Sequence, residues 1–216
     1  MRAPFLAAAL ALASCALVSC ATVEPYDYTL FHTHQPRSVL VLPPLDNSME
    51  VDATYAYLST VTVPLAERGY YVFPVAVVDR MLRDNGLPGP GEMHQVPLTR
   101  LGEIFGADAV LYITLHDWGT AYRVLDSATE VTAEGSLVDV ASGTEIWHGK
   151  HTAVYSSSSG ANSISEMLVG AIVNQIMSSV VDRSLDVARE CNAGLFCNDH
   201  DGLLLGPRHE DFGEDG

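Results

Sequence analysis

The chain has 216 residues and a formal charge of −16, and Lys150 is its only lysine. A surface this acidic repels phosphate backbones, which excludes nucleic acid as a natural partner, and it is ill suited to lie flat on anionic lipid. The length left after a leader suits one α/β domain with a real core; two would be cramped.

The first segment carries the strongest signal. Met1 and Arg2 precede an apolar run from Pro4 to Val18, which ends in Leu17-Val18-Ser19-Cys20. A positive start, a hydrophobic stretch and small residues before a cysteine form the pattern of a bacterial lipoprotein signal peptide spanning residues 1–19. Cys20 then takes a diacylglycerol thioether, its freed amine takes a further acyl chain such as palmitate, and the mature chain begins there. Leu12-Ala13-Ser14-Cys15 also fits, but leaves a much shorter hydrophobic run. The apolar stretch is short for a retained anchor, since a bilayer core of about 30 Å needs about 20 apolar residues. Two or three acyl chains anchor stably. Ala21, rather than an aspartate, follows the cysteine, so the expected address is the outer membrane, with the domain facing the periplasm.

Ala21 to Gln35 is polar and aromatic without periodicity and reads as a tether. Ser38 to Leu42 is a continuous apolar run, suited to a strand buried on both faces, and Pro43-Pro44 stops it. Asp46-Asn47-Ser48 is a turn cluster able to cap a helix. Val51 to Arg68 is helix-like, with Tyr55, Leu58, Thr62 and Leu65 on one face, Pro64 expected to bend or divide it, and Gly69 as its cap. Tyr70 to Val75 reads as a strand, Val77 to Asn85 as a helix, Leu87 to Gly91 as a loop, Pro97 to Phe105 as a short helix stopped by Gly106, and Ala107 to Leu115 as a third strand. Ala121 to Leu125, Glu130 to Val140 and Thr144 to Tyr155 alternate apolar and polar residues, as antiparallel strands with one wet face do. Ser156 to Asn162 is a polar linker. Ser163-x-x-Glu166 is a capping box opening a long helix to about Glu190, striped by Ile164, Leu168, Ile172, Ile176 and Val180. That stripe either packs on the sheet or faces a partner. Glu210 to Asp215 reads as an acidic, solvated tail, with 209–216 outside the domain. The fold class is therefore α/β: one mixed-sheet domain over 36–208, ordered β-α-β-α-α-β, then a meander and a long C-terminal helix.

Chemistry is sparse. Gly86-Leu-Pro-Gly-Pro-Gly91 lacks the free amides and the following Lys-Ser/Thr of a phosphate cradle. His32 and His34 share an extended segment, while His148 and His151 point to opposite faces of a strand; neither pair has zinc-site spacing. No Gly-x-Ser-x-Gly elbow is present. No catalytic residue, metal or cofactor is assigned. Asp46 and Asn47, with Asp117 and Trp118, lie at strand ends where α/β folds often bind ligands, and form a weak ligand-binding candidate; a Trp packed at a strand end is the plainer account. Cys191 and Cys197 remain, and their closeness in an oxidising compartment predicts a disulfide, with free thiols as the alternative.

Several stretches occur together and in order: Pro36-Arg-Ser-Val-Leu-Val-Leu-Pro-Pro-Leu-Asp-Asn-Ser48, Val63-Pro-Leu-Ala-Glu-Arg-Gly-Tyr-Tyr-Val-Phe-Pro-Val75, His94-Gln-Val, Phe105-Gly-Ala-Asp-Ala-Val-Leu-Tyr-Ile-Thr114, Val131-Thr-Ala-Glu, Leu137-Val-Asp-Val-Ala-Ser-Gly143 with Ile146-Trp147, and Gly206-Pro-Arg208. From about Pro25 to Arg208 the chain resembles a bacterial lipoprotein family of unknown function typified by a meningococcal genome-derived antigen. The resemblance implies a fold similar to the periplasmic domain of the curli-secretion lipoprotein and to the N-terminal domain of the Tol-system propeller protein. It transfers no catalytic residues, and the Cys191–Cys197 pair is not among its features. Members often lie beside a curli-secretion-like lipoprotein gene, which implies an envelope assembly. The expected function is a non-enzymatic docking or assembly module, with the membrane as one partner through Cys20 and as the other an envelope protein, a curli-secretion-like lipoprotein among the candidates, or a second copy in a homo-oligomer. The alternatives are an accessory activator of a cell-wall synthase, a periplasmic small-ligand binder and a hydrolase.

Overall fold

Strand β1 (Ser38–Val41) shows how the core is divided. Its side chains alternate, so Val39 and Val41 enter one apolar layer while Leu40 and Leu42 enter another on the opposite face. All four are fully buried. A strand clothed on both sides has no wet face, which is why its sequence reads as unbroken hydrophobics. The computed structural model describes residues 25–48, 50–122, 127–156 and 183–214.

A short helix α1 (Thr29–His34) precedes β1. Then come β2 (Leu45–Asp46), α2 (Ala53–Glu67), β3 (Tyr71–Val72), α3 (Val75–Asp84), α4 (Pro90–Met93) and α5 (Leu98–Phe105). Three long strands follow, β4 (Ala109–Tyr122), β5 (Ser127–Asp139) and β6 (Glu145–Ser156), and then α6 (Ser184–Phe196). They form one six-stranded mixed sheet in the order β3-β1-β4-β5-β6, with β2 paired to β4. The pairs among β1, β2, β3 and β4 are parallel, and β4-β5-β6 is an antiparallel meander. The mixed α/β class read from the sequence is the class found.

The larger apolar layer joins α2 and α6 to the sheet through Tyr57, Val61, Leu65, Cys191, Leu195 and Phe196. Burying each large aliphatic or aromatic side chain there contributes about 1.5–3 kcal/mol. The smaller layer sets Val78, Leu82, Met93 and Leu101 of α3–α5 against Leu40, Leu42 and Val110. Gly69 and Gly106 end α2 and α5 at φ +86° and +68°, a conformation glycine adopts freely. At Gly69 the Tyr70 amide reaches Leu65 O and the Gly69 amide reaches Ala66 O, the paired bonds of a Schellman cap.

Several expectations are corrected. Residues 25–35 do not behave as a free lead. Phe31 is buried, Tyr28 OH donates to Gly202 O at 2.5 Å, and Tyr26 OH accepts the His148 amide at 2.8 Å. Pro64 leaves α2 undivided, and the buried face runs through Ala53, Tyr57, Leu58, Val61 and Leu65, so that Tyr55 is exposed and lies under Arg83. Asp46-Asn47-Ser48 does not cap α2, whose N-cap residue is Asp52; Asp46 is in β2 and its Oδ1 accepts the Ser48 amide at 2.8 Å. The strands predicted separately from Ala107 and from Ala121 are one strand, β4, carried across a bulge between Leu115 and Asp117. The last helix runs past Glu190 to Phe196; its predicted stretch over 163–182, with the Ile164 to Val180 stripe, lies outside the described residues. So do the Cys20 and Cys15 sites and the linker over 157–162. Residues 207–214 fold back, with Arg208 N bonded to Gly69 O.

The Cys191–Cys197 bridge is also corrected: both thiols are free. Cys191 is inside α6 facing the core, and Cys197 is the exposed residue at its C-terminal end. Six helical positions separate their Cα atoms by about 9 Å, beyond the roughly 7 Å a disulfide spans. Burial pushes the Cys191 thiol up to about 11, so little of the reactive thiolate exists at neutral pH. Alkylation of the native domain at pH 7 should therefore add one group, on Cys197. Alkylation in denaturant without reductant should add a second, on Cys191. A mass showing no modification before reduction would restore the bridge.

Candidate docking surface

The two faces of the long meander differ. One is covered by α6 and α2. On the other, the α3–α5 layer reaches only as far as Tyr112, where the His94 ring meets the Tyr112 ring edge-on at 5.2 Å and His94 Nε2 lies 2.9 Å from Pro43 O. Burial accordingly lowers the His94 pKa, opposed by that carbonyl. Past Tyr112 the face is polar. Thr114, His116, Glu134 and Ser136 are half-buried, and His148, Lys150 and Thr152 are exposed. Among the described residues, β6 is the outer strand of the sheet.

Register assembles the side chains. Glu134 stands between Thr114 on β4 and Lys150 on β6, and Ser136 stands opposite His148. His116 is the extra residue of the bulge, which turns its ring toward β5. Glu134 Oε2 is 2.8 Å from His116 Nε2 and 3.6 Å from Lys150 Nζ, and Oε1 is 3.5 Å from His148 Nε2. His148 Nδ1 is 3.8 Å from Glu145, which also accepts the Ser136 hydroxyl. Thr132 and Thr152 hydroxyls meet at 2.9 Å.

The His116 hydrogen bond holds the Glu134 carboxyl below the ordinary carboxylate range, against a smaller desolvation effect and with help from His148, His116 and Lys150 charge. A depressed pKa contributes stability that is present above the ordinary glutamate range and lost as pH falls through the lower folded value. The group is solvated, so the contribution is under about 1 kcal/mol. Glu134→Gln should therefore lower the urea midpoint slightly at pH 6 and by less at pH 3. Equal midpoints at both pH values would mean that the cluster contributes nothing to stability. An ionised, hydrogen-bonded carboxylate is a poor general acid. What the face offers is a flat array of charges, hydroxyls and ring nitrogens.

The weak ligand candidates are close together but otherwise engaged. Asp46 pairs with Leu115, and the Asn47 amide bonds to Leu115 O at 2.9 Å, so both lie one strand from Asp117. Trp118 packs on the core, 6.5 Å from the Tyr57 ring in an edge contact. His32 and His34 are on α1, with His34 Nδ1 3.3 Å from Asp139. His148 and His151 do take opposite faces: the His151 ring lies against Gly194 of α6. Among the described residues, no three His, Cys, Asp or Glu side chains are grouped to hold a metal ion. The Glu134 cluster was missed in the sequence because it needs the strand register; the signal available was the shared parity of Glu134 with Ser136 and of His148 with Lys150. Asp108 was missed too. Its Oδ2 accepts the Arg37 amide, the Ser38 amide and the Ser38 hydroxyl at 3.0, 2.9 and 2.8 Å, pinning the start of β1.

Residues 26–208 match the family described as "Putative lipoprotein GNA1162-like". The chain belongs to this family. A GNA1162-like relative, "Putative lipoprotein NMB1124/NMB1162" of Neisseria meningitidis serogroup B (strain ATCC BAA-335 / MC58), is 42% identical over 204 residues, 94% of each chain. The crystal structure of lipoprotein GNA1162 from Neisseria meningitidis aligns at a TM-score of 0.54 and 45% identity, covering 66% of this chain and 99% of that one. A PelC dodecamer from Paraburkholderia phytofirmans is a remoter likeness, at 18% identity and a TM-score of 0.42 over 64% of this chain and 86% of that one. Membership of the GNA1162-like lipoproteins carries membrane anchoring in the cell envelope.

Proposed function

We propose that this GNA1162-like lipoprotein is held at the outer membrane by acyl chains on Cys20 and acts, without catalysis of its own, as a periplasmic docking module for another envelope protein. The observation that carries the docking role is the polar face of β4-β5-β6 beside the outer strand of the described sheet, a face that ends in the exposed apolar side chain of Val154. Outer strands offer backbone donors and acceptors to a partner, and alternating charge favours specificity over adhesion. The leader ending at Cys20 supports the address.

Two experiments test the two halves. Cys20→Ser should move the protein from the membrane to the soluble fraction; retention in the outer membrane with unchanged processing would overturn the anchor. A photo-crosslinking residue at Thr152 should capture one defined envelope protein in intact cells, and the same residue at Arg80 on α3 should not. Equal patterns at both positions would remove the docking role.

A further inference from the structure

The described chain begins at Pro25, and only five peptide links separate Pro25 from Cys20. Fully extended, they span about 17 Å. Had residues 25–35 been free, the same cysteine would hold the domain on a lead some three times longer. Instead the segment is fastened to the fold at three places. Tyr26 OH takes the His148 amide on the outer strand, Tyr28 OH holds Gly202 O, and Phe31 is buried. The Tyr26 and Tyr28 rings lie 4.6 Å apart. The chain therefore leaves the domain at one corner, where β6 begins.

That corner has the chemistry of a surface resting at a bilayer interface. Leu30 on α1 is exposed, and Phe212 is exposed beside α1, where it borders a cleft of about 60 Å³ with Phe31, His32 and Gln35. Asp27, Asp201 and Glu145 surround Tyr26 closely enough to raise its pKa, although desolvation is the larger cause. Carboxylates there oppose an anionic surface, so the fitting partner is a zwitterionic headgroup layer.

We infer that residues 25–35 are a docked strap, fastened to the fold by Tyr26 and Tyr28, that seats the α1 corner, through Leu30 and Phe212, on the leaflet holding the acyl chains of Cys20, with the far ends of β4-β5-β6 directed away from it. This rests on the anchoring of Cys20 in the proposed function. It fixes which part of the docking face is within reach of a partner. Val154 stands six residues along β6 from His148, about 20 Å farther out.

The test uses the acylated full-length protein in vesicles of phosphatidylcholine and phosphatidylethanolamine, with Cys197→Ser removing the exposed thiol. A fluorophore is placed at Thr33→Cys on α1 or at Val154→Cys on β6, and energy transfer to a headgroup-labelled lipid is read. Transfer should be several-fold stronger from position 33 than from 154. A flexible Gly-Ser segment inserted between Glu24 and Pro25, which leaves the fold untouched, should erase that ratio; so should Tyr26→Ala with Tyr28→Ala, at unchanged circular dichroism. Equal transfer from the two positions in the uninserted protein, or a ratio that survives the insertion, overturns the strap while leaving the anchor intact. Failure of the protein to float with the vesicles removes the anchor and the strap together.

Discussion

Replacing Trp147 with alanine is expected to destabilise the domain by about 3–5 kcal/mol, the range for deleting a buried aromatic side chain. Trp147 is 1% exposed, between the sheet and α6, with its ring 5.7 Å from Phe196. It lies over Gly135 and Gly149, where a Cβ would come within 3.1 and 2.7 Å of the indole. Two glycines have no side chains with which to fill the space it leaves, so the cavity collapses poorly. The indole Nε1 also donates to Asp201 O at 2.8 Å, and that carbonyl loses its donor. Urea denaturation should show the full loss, and thermal melting a fall of roughly 2–4 °C per kcal/mol for a domain of this size. Trp118→Ala is the comparison, since its ring is only partly buried. A Trp147 variant no less stable than the Trp118 variant would disprove the α6 packing described above.

Gly69→Ala is expected to cost about 2–4 kcal/mol from two sources, left-handed backbone and lost hydrogen bonding. The backbone there is at φ +86°, and a Cβ would stand 2.4 Å from His209 N and 2.8 Å from Gly206 O. Both are main-chain atoms and cannot rotate away. The 206–209 segment must retreat, weakening the bonds from Gly206 N to Arg68 O and from Arg208 N to Gly69 O. Gly106→Ala separates the two contributions. Gly106 has φ +68° but nothing within 4 Å of a Cβ, so it should lose only the backbone preference, about 1 kcal/mol. Equal melting temperatures for the two variants would show that the return of 206–209 onto the end of α2 contributes nothing.

What was legible in the chain followed from local chemistry. Val39 to Leu42 announced a strand clothed on both sides, and Gly69 and Gly106 announced helix ends. The alternation from Glu130 onward announced a meander with one wet face. What was illegible depended on partners far away in sequence. Nothing local marks His116 as the extra residue of a bulge, so one strand read as two. Tyr26 and Tyr28 look like tether residues until His148 and Gly202, over a hundred positions later, are brought beside them. The Glu134 cluster exists only once register sets three strands side by side. Cys191 and Cys197 look like a natural pair by compartment and closeness, but the helix continuing past Glu190 faces one inward and the other outward. Trp118 does not follow a strand but is inside β4 and packed against the core, and Asp46 is in β2 with its carboxylate in a turn.

The early and late parts of the chain meet at one corner: Tyr28 holds Gly202, and Phe212 borders α1. Under the proposed anchoring at Cys20, a pull from the bilayer reaches Tyr26 on the His148 amide of β6 first and the Tyr28 clasp on Gly202 second, so the outer strand and the returning C-terminal segment share the load.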